Sequence, residues 1–200
     1  MKTRTVKGKV AMLALVLLAF GCSRATPPEP STRPCNCEEA GGKVVDQLLL
    51  AWLSKARTLH HLADVAEEEG SLDKAIAPLE ELVRGTMPPG QPAEAAEVMA
   101  DTYARLAELR ARRGDFDQAD KDVASGLGYA PSPTYFRGHL LEVRGLVHEK
   151  ESAALEKSGK STEAKRAREK AMQSSLEAVR IQDEVIKKTL GDAGAPATRD

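Results

Sequence analysis

The chain has 200 residues, of which 42% are hydrophobic, 30% charged and 4% aromatic. This length suits one ordinary domain with tails, and the balance of apolar and charged residues is that of a globular protein. The formal net charge of -1 excludes the excess of basic side chains that a nucleic-acid binder needs to displace counterions from phosphates.

The first 21 residues are predicted to be an export signal. Residues 1–9 carry four basic side chains and no acid, and residues 10–20 form an uncharged apolar run. This order is typical of secretory signals, whereas a transmembrane helix needs about 20 apolar residues. The alternative is that residues 10–20 form a buried core helix, but the residues on either side of this run are not those expected for one. Without residues 1–21, 25 of the 29 basic residues remain against 30 acidic ones, a formal charge of -5.

The end of the apolar run resembles a bacterial lipobox. Ala19, Phe20 and Gly21 lead into Cys22, and in that family the cysteine carries a thioether-linked diacylglycerol and becomes the first residue after cleavage. Ala19 stands where leucine is commoner, and Phe20 is bulky for its place. The resemblance implies a covalent lipid on Cys22 and, because Ser23 follows, attachment to the periplasmic face of the outer membrane. An ordinary secreted protein with a chance cysteine is the alternative.

Residues 22–42 are predicted to be the lipidated cysteine and a disordered tether. Pro27, Pro28, Pro30 and Pro34 fix φ and remove amide donors. The segment has no apolar period that would need burial, so we expect it to hold the following domain away from the lipid.

A second pair of cysteines, Cys35 and Cys37, lies within this tether. Two thiols this close could form a strained, reducible disulfide, or bind a metal together with other ligands. An adventitious pair is the simplest interpretation, and the sequence leaves the three open.

From residue 43 onward the apolar spacing is helical. Small and apolar side chains recur every three or four residues from Trp52 to Ala66 and again from Ala164 to Val185, which predicts one buried stripe on each helix. The predicted helices span about 43–69, 72–84, 92–113, 116–128, 133–158 and 161–190, followed by a disordered tail at 191–200.

Three glycines are predicted to end helices in the left-handed conformation, and the short turns that follow them require the paired helices to be antiparallel. These are Gly70, Gly114 and Gly159. Asp115 and Gln118 are predicted to form a capping box, and Ser132 to cap a helix that has Pro133 at its first position. Pro78 should kink its helix or shift its start.

Each of these glycines is followed five residues later by an alanine, and the three pairs are 44 and 45 residues apart. Such a period predicts stacked helix pairs. The units at about 56–89 and 100–133 resemble tetratricopeptide repeats, and residues 133–190 resemble a degenerate repeat or capping hairpin. The resemblance implies an all-α fold of antiparallel hairpins stacked as a short solenoid over residues 43–190. An unrelated six-helix bundle is the alternative.

No catalytic pattern was found along the chain. There is no phosphate-binding loop, no HExxH and no GxSxG. His60 and His61 are adjacent and therefore point in different directions on a helix, with no further His or Cys at a helical ligand spacing. We therefore predict no enzyme activity and no metal or other cofactor apart from the lipid on Cys22.

The repeat resemblance implies a concave groove lined by the first helix of each unit. Transferred position by position, the lining comprises Arg57, His60, Asp64, Glu67, Asp101, Ala104, Glu108 and Arg112. This mixture is mostly acidic, so a protein or peptide partner with basic side chains would suit it. The alternative is that these are ordinary surface residues.

Two functions follow from these expectations. The first is a membrane-anchored scaffold or assembly factor of the cell envelope, similar to outer-membrane tetratricopeptide lipoproteins that help pilus or secretion pores to assemble. The second is a structural lipoprotein with no specific groove ligand. A third interpretation is a redox or metal role for Cys35 and Cys37.

Overall fold

The structure is a computed structural model that describes residues 46–193, with side chains described as far as Gly191. This part contains six α-helices and no strand, which confirms the predicted all-α class. The helices are α1 (Gln47–Glu68), α2 (Leu72–Arg84), α3 (Ala93–Arg113), α4 (Phe116–Tyr129), α5 (Tyr135–Lys157) and α6 (Ser161–Ala193). None of them is long and apolar enough to cross a membrane. The predicted leader, the lipid site Cys22, the tether with Cys35 and Cys37, and residues 194–200 lie outside the described residues.

The helix boundaries follow the glycine signals. Gly70, Gly114 and Gly159 adopt φ values of 77°, 93° and 76°, the left-handed conformation in which glycine carries no steric penalty. The predicted α6 ended at residue 190, but the helix continues to Ala193. The predicted first helix began at 43, whereas α1 begins at Gln47 after Asp46, whose carboxylate accepts hydrogen bonds from two backbone amides of the first turn.

Two predicted caps are wrong. Asp115 makes no capping hydrogen bond with its side chain, because its carboxylate instead accepts one from Arg113 Nε at 2.7 Å. The cap of α5 is Thr134, whose Oγ1 accepts from the Arg137 amide at 3.2 Å, so Ser132 and Pro133 precede the helix. Of the two effects expected of Pro78, the shifted start does not occur, since α2 begins at Leu72 and continues through Pro78 to Arg84.

Contacts between the helices follow their order along the chain. Within the predicted pairs, α1 contacts α2, α3 contacts α4 and α5 contacts α6. Between pairs, α3 contacts both α1 and α2, and α5 contacts both α3 and α4, whereas α2, α4 and α6 make no such contact with one another in the described part. The helices α1, α3 and α5 therefore lie side by side in chain order.

Small residues bring these neighbouring helices close together. The contact of α3 and α4 with α5 buries Ala100, Ala104, Ala107, Ala111, Ala119, Val123, Leu140, Val143 and Val147. A second cluster joins α1 and α2 to α3 through Ala63, Ala66, Ala75, Ile76, Leu79, Leu106 and Leu109. Because helix separation depends on the side chains at the contact, alanine-rich stripes hold the backbones near each other. This close packing determines which side chains of α1, α3 and α5 lie on the surface that the three helices share.

Candidate functional site

The predicted groove residues of α1 lie on the side of that helix that meets α3. His60, Asp64 and Glu67 are spaced by four and three residues, which places them on one stripe of a helix. All three contact side chains of α3. The surface that these residues form continues across α3 and α5 and is the candidate site.

An ion-pair cluster joins α1 to α3 on this face. The Arg105 guanidinium lies 2.5 Å from Asp64 Oδ1 and 2.9 Å from Glu67 Oε2, and Arg112 donates a second hydrogen bond to Glu67. Burial disfavours the ionised form of Glu67, but hydrogen bonds from Arg112 and Arg105 outweigh it and hold the pKa of this carboxyl below its usual range. The charges of Asp64 and Glu67 are therefore matched within the chain.

His60 belongs to the same contact. Its Nε2 lies 2.9 Å from Thr102 Oγ1, and that hydroxyl donates to Val98 O at 2.7 Å. Since the hydroxyl hydrogen is used, the His60 N–H must donate to Thr102. Burial lowers the pKa of His60, although the charge of Asp101 opposes this effect. His60 is thus held neutral in a contact between helices.

A cleft of about 410 Å³ lies where α1, α3 and α5 meet. Its floor is apolar, formed by Leu109, Ala111, Val143, Leu146 and Val147, and its rim is charged, formed by Glu67, Arg105, Glu108, Arg112 and Lys150. This volume falls in the range of sites that accept a small molecule or a side chain of a partner. With three cations and two carboxylates, the rim is not mostly acidic, so the expectation of an acidic groove does not hold for the cleft.

Two rim charges take part in no ion pair among the described residues, namely Glu108 and Lys150. Burial raises the pKa of Glu108, while the nearby His139 and Arg105 oppose this effect. A half-buried carboxylate without a counter-ion costs stability when it is ionised. Such a group at the edge of a cleft is a typical feature of binding sites.

Comparison with protein-family models, with curated proteins and with solved structures finds no match. The site is therefore interpreted from its own chemistry. Within residues 46–193, no group of three or more His, Cys, Asp or Glu side chains is placed to hold a metal ion. Cys35 and Cys37 lie outside this range, so the expected lack of a metal stays a prediction.

The cleft brings together part of the predicted groove. Glu67, Glu108 and Arg112 line it directly. Asp64 is joined to its rim through Arg105. These residues come from α1 and α3, which α2 separates along the chain.

The other predicted groove residues lie elsewhere. His60 and Asp101 precede the cleft-lining residues of α1 and α3 and do not line the cleft. Arg57 is exposed about one turn before His60 on α1. Ala104 is fully buried in the contact with α5, so it lines no groove. The transfer from the repeat pattern was therefore wrong for Ala104.

Sequence reasoning missed the residues that complete the cleft. Arg105 was not predicted, although it lies four residues after Asp101 and three before Glu108, on the same helical stripe. The contribution of α5, with Leu146, Val147 and Lys150, carried no signal because the third unit matches the repeat pattern poorly.

The pH dependence of stability is expected to include a contribution from His60. Burial lowers its pKa below the ordinary value of 6.5, so the unfolded chain binds a proton near that value while the folded chain does not. The stabilisation is present above 6.5 and is lost as the pH falls through the folded pKa. Replacing His60 by glutamine, which can still donate to Thr102, should therefore flatten the loss of stability between about pH 7 and pH 5.

Urea unfolding at both pH values, followed by circular dichroism, measures this effect. The matched control is His61→Gln, because His61 is exposed on the neighbouring position of the same helix. It should leave the wild-type slope unchanged. An equal flattening in both variants would contradict the assignment to His60.

Proposed function

We propose that this protein is a lipid-anchored scaffold of the bacterial cell envelope, with a tetratricopeptide-like helical domain that binds a protein or peptide segment on the face of α1, α3 and α5. The observation that carries the binding part is the cleft, to which all three helices contribute. The side-by-side order of these helices supports a short solenoid, since each hairpin then contacts only its neighbours. The anchor rests on the lipobox-like sequence that ends at Cys22.

The chemistry of the cleft specifies the kind of segment. An apolar side chain would cover the floor around Leu146 and Val147, and polar or charged groups on either side of it would meet Glu108 and Lys150. Both rim charges are open to a ligand, whereas Asp64 and Glu67 already share Arg105 and Arg112. The proposed partner is therefore a segment with an apolar anchor and charges of both signs, and not simply a basic one.

Replacement of Glu108 by glutamine is expected to weaken partner capture roughly tenfold, the loss of one charged hydrogen bond. The raised pKa of Glu108 means that its contribution to stability is present below the ordinary carboxyl pKa of 4.5 and is lost as the pH rises through the folded value. Glutamine does not ionise, so the variant should be at least as stable as the wild type at pH 7. Weaker capture without weaker folding separates a binding role from a structural one.

Capture is measured with a photo-crosslinking residue placed at position 150 in the native membrane. The same residue at position 121, which is exposed on α4 and remote from the cleft lining, serves as the control site. Crosslinks specific to position 150 that weaken in Glu108→Gln would support the cleft. Equal crosslinking yields at both positions would contradict binding at the cleft and favour a structural lipoprotein without a groove ligand.

The anchor is tested separately with Cys22→Ser. We expect labelled palmitate to enter the wild-type protein and not the variant, and the variant to leave the membrane fraction, because durable attachment needs two or more acyl chains. The matched control is a Cys35→Ser, Cys37→Ser double variant, which should keep both label and location. If this control lost function while keeping its label, the redox or metal interpretation would gain support. A Cys22→Ser protein that still fractionates with the envelope would contradict the anchor.

A further inference from the structure

The last helix carries two separate stripes. One packs against α5 and consists of Ala164, Ala167, Ala171, Ser174, Ala178, Ile181 and Val185, all buried except Ala171 and Val185, which are half-buried. The other, here called the outer stripe, lies on a different side of α6 and consists of Met172, Leu176, Val179, Asp183, Ile186 and Leu190. Met172 and Val179 also line a cleft between α6 and α5. The five apolar members of the outer stripe are 54% to 69% exposed. Their alternating steps of four and three residues are the spacing of a coiled-coil seam.

The C-terminal part of the outer stripe extends past α5. Gly138, close to the start of α5, lies level with Ile181 and Gln182 of α6. Because α5 begins at Tyr135 while α6 continues to Ala193, Ile186 and Leu190 lie beyond the end of α5. A stripe of large apolar side chains on an overhanging helix needs a cover.

The outer stripe is symmetric about Ile181. Met172 and Leu190 are each nine residues from it, Leu176 and Ile186 are each five, and Val179 and Asp183 are each two. In an antiparallel pair of α6 helices related by a two-fold axis at this level, Met172 therefore meets Leu190 of the other copy, Leu176 meets Ile186, and Val179 meets Asp183. The seam extends over about 27 Å, since each residue adds 1.5 Å to the helix.

The one charged member of the stripe indicates which molecule packs against it. Asp183 would face Val179 of the partner subunit, and Arg180 follows that valine directly in the sequence. Neither Asp183 nor Arg180 forms an ion pair among the described residues. An apolar partner or a lipid surface would leave the carboxylate desolvated and unpaired, at a considerable cost. A second copy supplies the guanidinium twice, once on each side of the axis.

We propose that α6 is a dimerisation helix, and that a second copy of this chain covers the outer stripe in an antiparallel arrangement, with Asp183 paired to Arg180 of the partner subunit. The interface is isologous, so that every contact occurs twice. It does not involve the cleft of α1, α3 and α5, and it stands or falls independently of the proposed function.

Sedimentation equilibrium of the full chain over a range of concentrations tests the dimer. The wild type should dimerise, and a Leu176→Lys, Ile186→Lys double variant should raise the dimer dissociation constant by at least about 100-fold, because each subunit loses two apolar side chains from the seam. Both positions are exposed in the monomer, so helicity should be unchanged. The matched control, Leu62→Lys, changes a similarly exposed leucine of α1 and should leave the dimer intact.

A charge swap tests the arrangement. Asp183→Arg should weaken the dimer by placing like charges together, and adding Arg180→Asp should restore it. In a parallel pair Asp183 would face its own copy, so the single change would not weaken the dimer and the swap would restore nothing. Either of these results would overturn the antiparallel arrangement.

Other covers give different results. A chain that stays monomeric at high concentration while Met172 is protected from oxidation would indicate that residues 1–45 cover the stripe. A monomer that sediments with phosphatidylethanolamine–phosphatidylglycerol vesicles, and loses this ability in the double lysine variant, would indicate a lipid surface. Each of these outcomes would overturn the dimer.

Discussion

Replacement of Asp122 by alanine is expected to lower the free energy of unfolding by about 3 kcal/mol, the lower end of the range for breaking a buried ion pair, because it removes one of the two carboxylates that pair with the Arg110 guanidinium. Arg110 donates one hydrogen bond to Asp122 and another to Glu80, so that a chain of charges connects α2, α3 and α4. The side chains of Arg110 and Asp122 are only 10% and 6% exposed. The Nε of Arg110 is already buried with no partner, and the loss of Asp122 removes the acceptor of a second nitrogen, Nη1.

Urea unfolding at neutral pH measures this loss. The matched control is Arg113→Met, which removes a guanidinium from the same helix that pairs with Asp73 and Asp115 at the surface. This change should cost no more than about 1 kcal/mol, as is usual for exposed ion pairs. Equal losses for Asp122→Ala and Arg113→Met would contradict the assignment of a buried network.

Removing one member of this network should lower the free energy of unfolding much more than replacing all three members together. Burial raises the pKa of Asp122, although hydrogen bonding and charge from Arg110 oppose it, which means that desolvation consumes much of the attraction in this pair. A variant that exchanges Arg110, Asp122 and Glu80 together for apolar residues of similar size should therefore regain most of the stability lost in Asp122→Ala. The network then acts chiefly to fix how α2 and α4 sit on α3.

The fold could be predicted from the sequence wherever one strong local signal decides the structure. Gly70, Gly114 and Gly159 mark the helix ends correctly, because few residues other than glycine adopt the left-handed conformation without strain. The caps at Asp115 and Ser132 could not be predicted in this way. Asp115 lies beside Arg113, and its carboxylate binds that guanidinium instead of the backbone amides, a competition that a capping pattern does not contain.

The candidate site was predictable only in part. Glu67, Glu108 and Arg112 could be placed because the glycine and alanine positions of the first two units fix their register. The charge of the cleft could not be predicted, because it depends on Arg105 of α3, which pairs with two carboxylates of α1. Pairing between helices is decided by distances in space, and a count of acidic residues along the chain does not contain them.

The contact between α5 and α6 left a signal that sequence analysis did not use. Gly138 and Gly145 are seven residues apart inside a helix, where glycine is less stable than alanine by about 0.5–1 kcal/mol. Both lie against α6, since a Cβ at Gly138 would meet Gln182 and one at Gly145 would meet Ser175. Glycine at this spacing therefore marks the stripe along which the two helices approach most closely.

Replacement of Gly145 by valine is expected to lower the free energy of unfolding by about 1–3 kcal/mol, the usual cost of overfilling a close contact. A Cβ at this position would lie 2.7 Å from Ser175 Oγ and 3.3 Å from Ala171 O. The hydroxyl cannot turn away freely, because it donates to Ala171 O at 3.0 Å. Thermal and urea unfolding measure the loss.

Two further variants show whether the close approach of α6 is the cause. Gly128→Ala is the matched control, because Gly128 lies in α4 with nothing within 4 Å of an added Cβ, and it should be neutral or stabilising by up to about 1 kcal/mol. Gly145→Ala should instead lose stability, and adding Ser175→Ala should recover it by removing the nearest clashing atom. If Gly145→Ala stabilised the protein as Gly128→Ala does, α5 and α6 would be further apart than described.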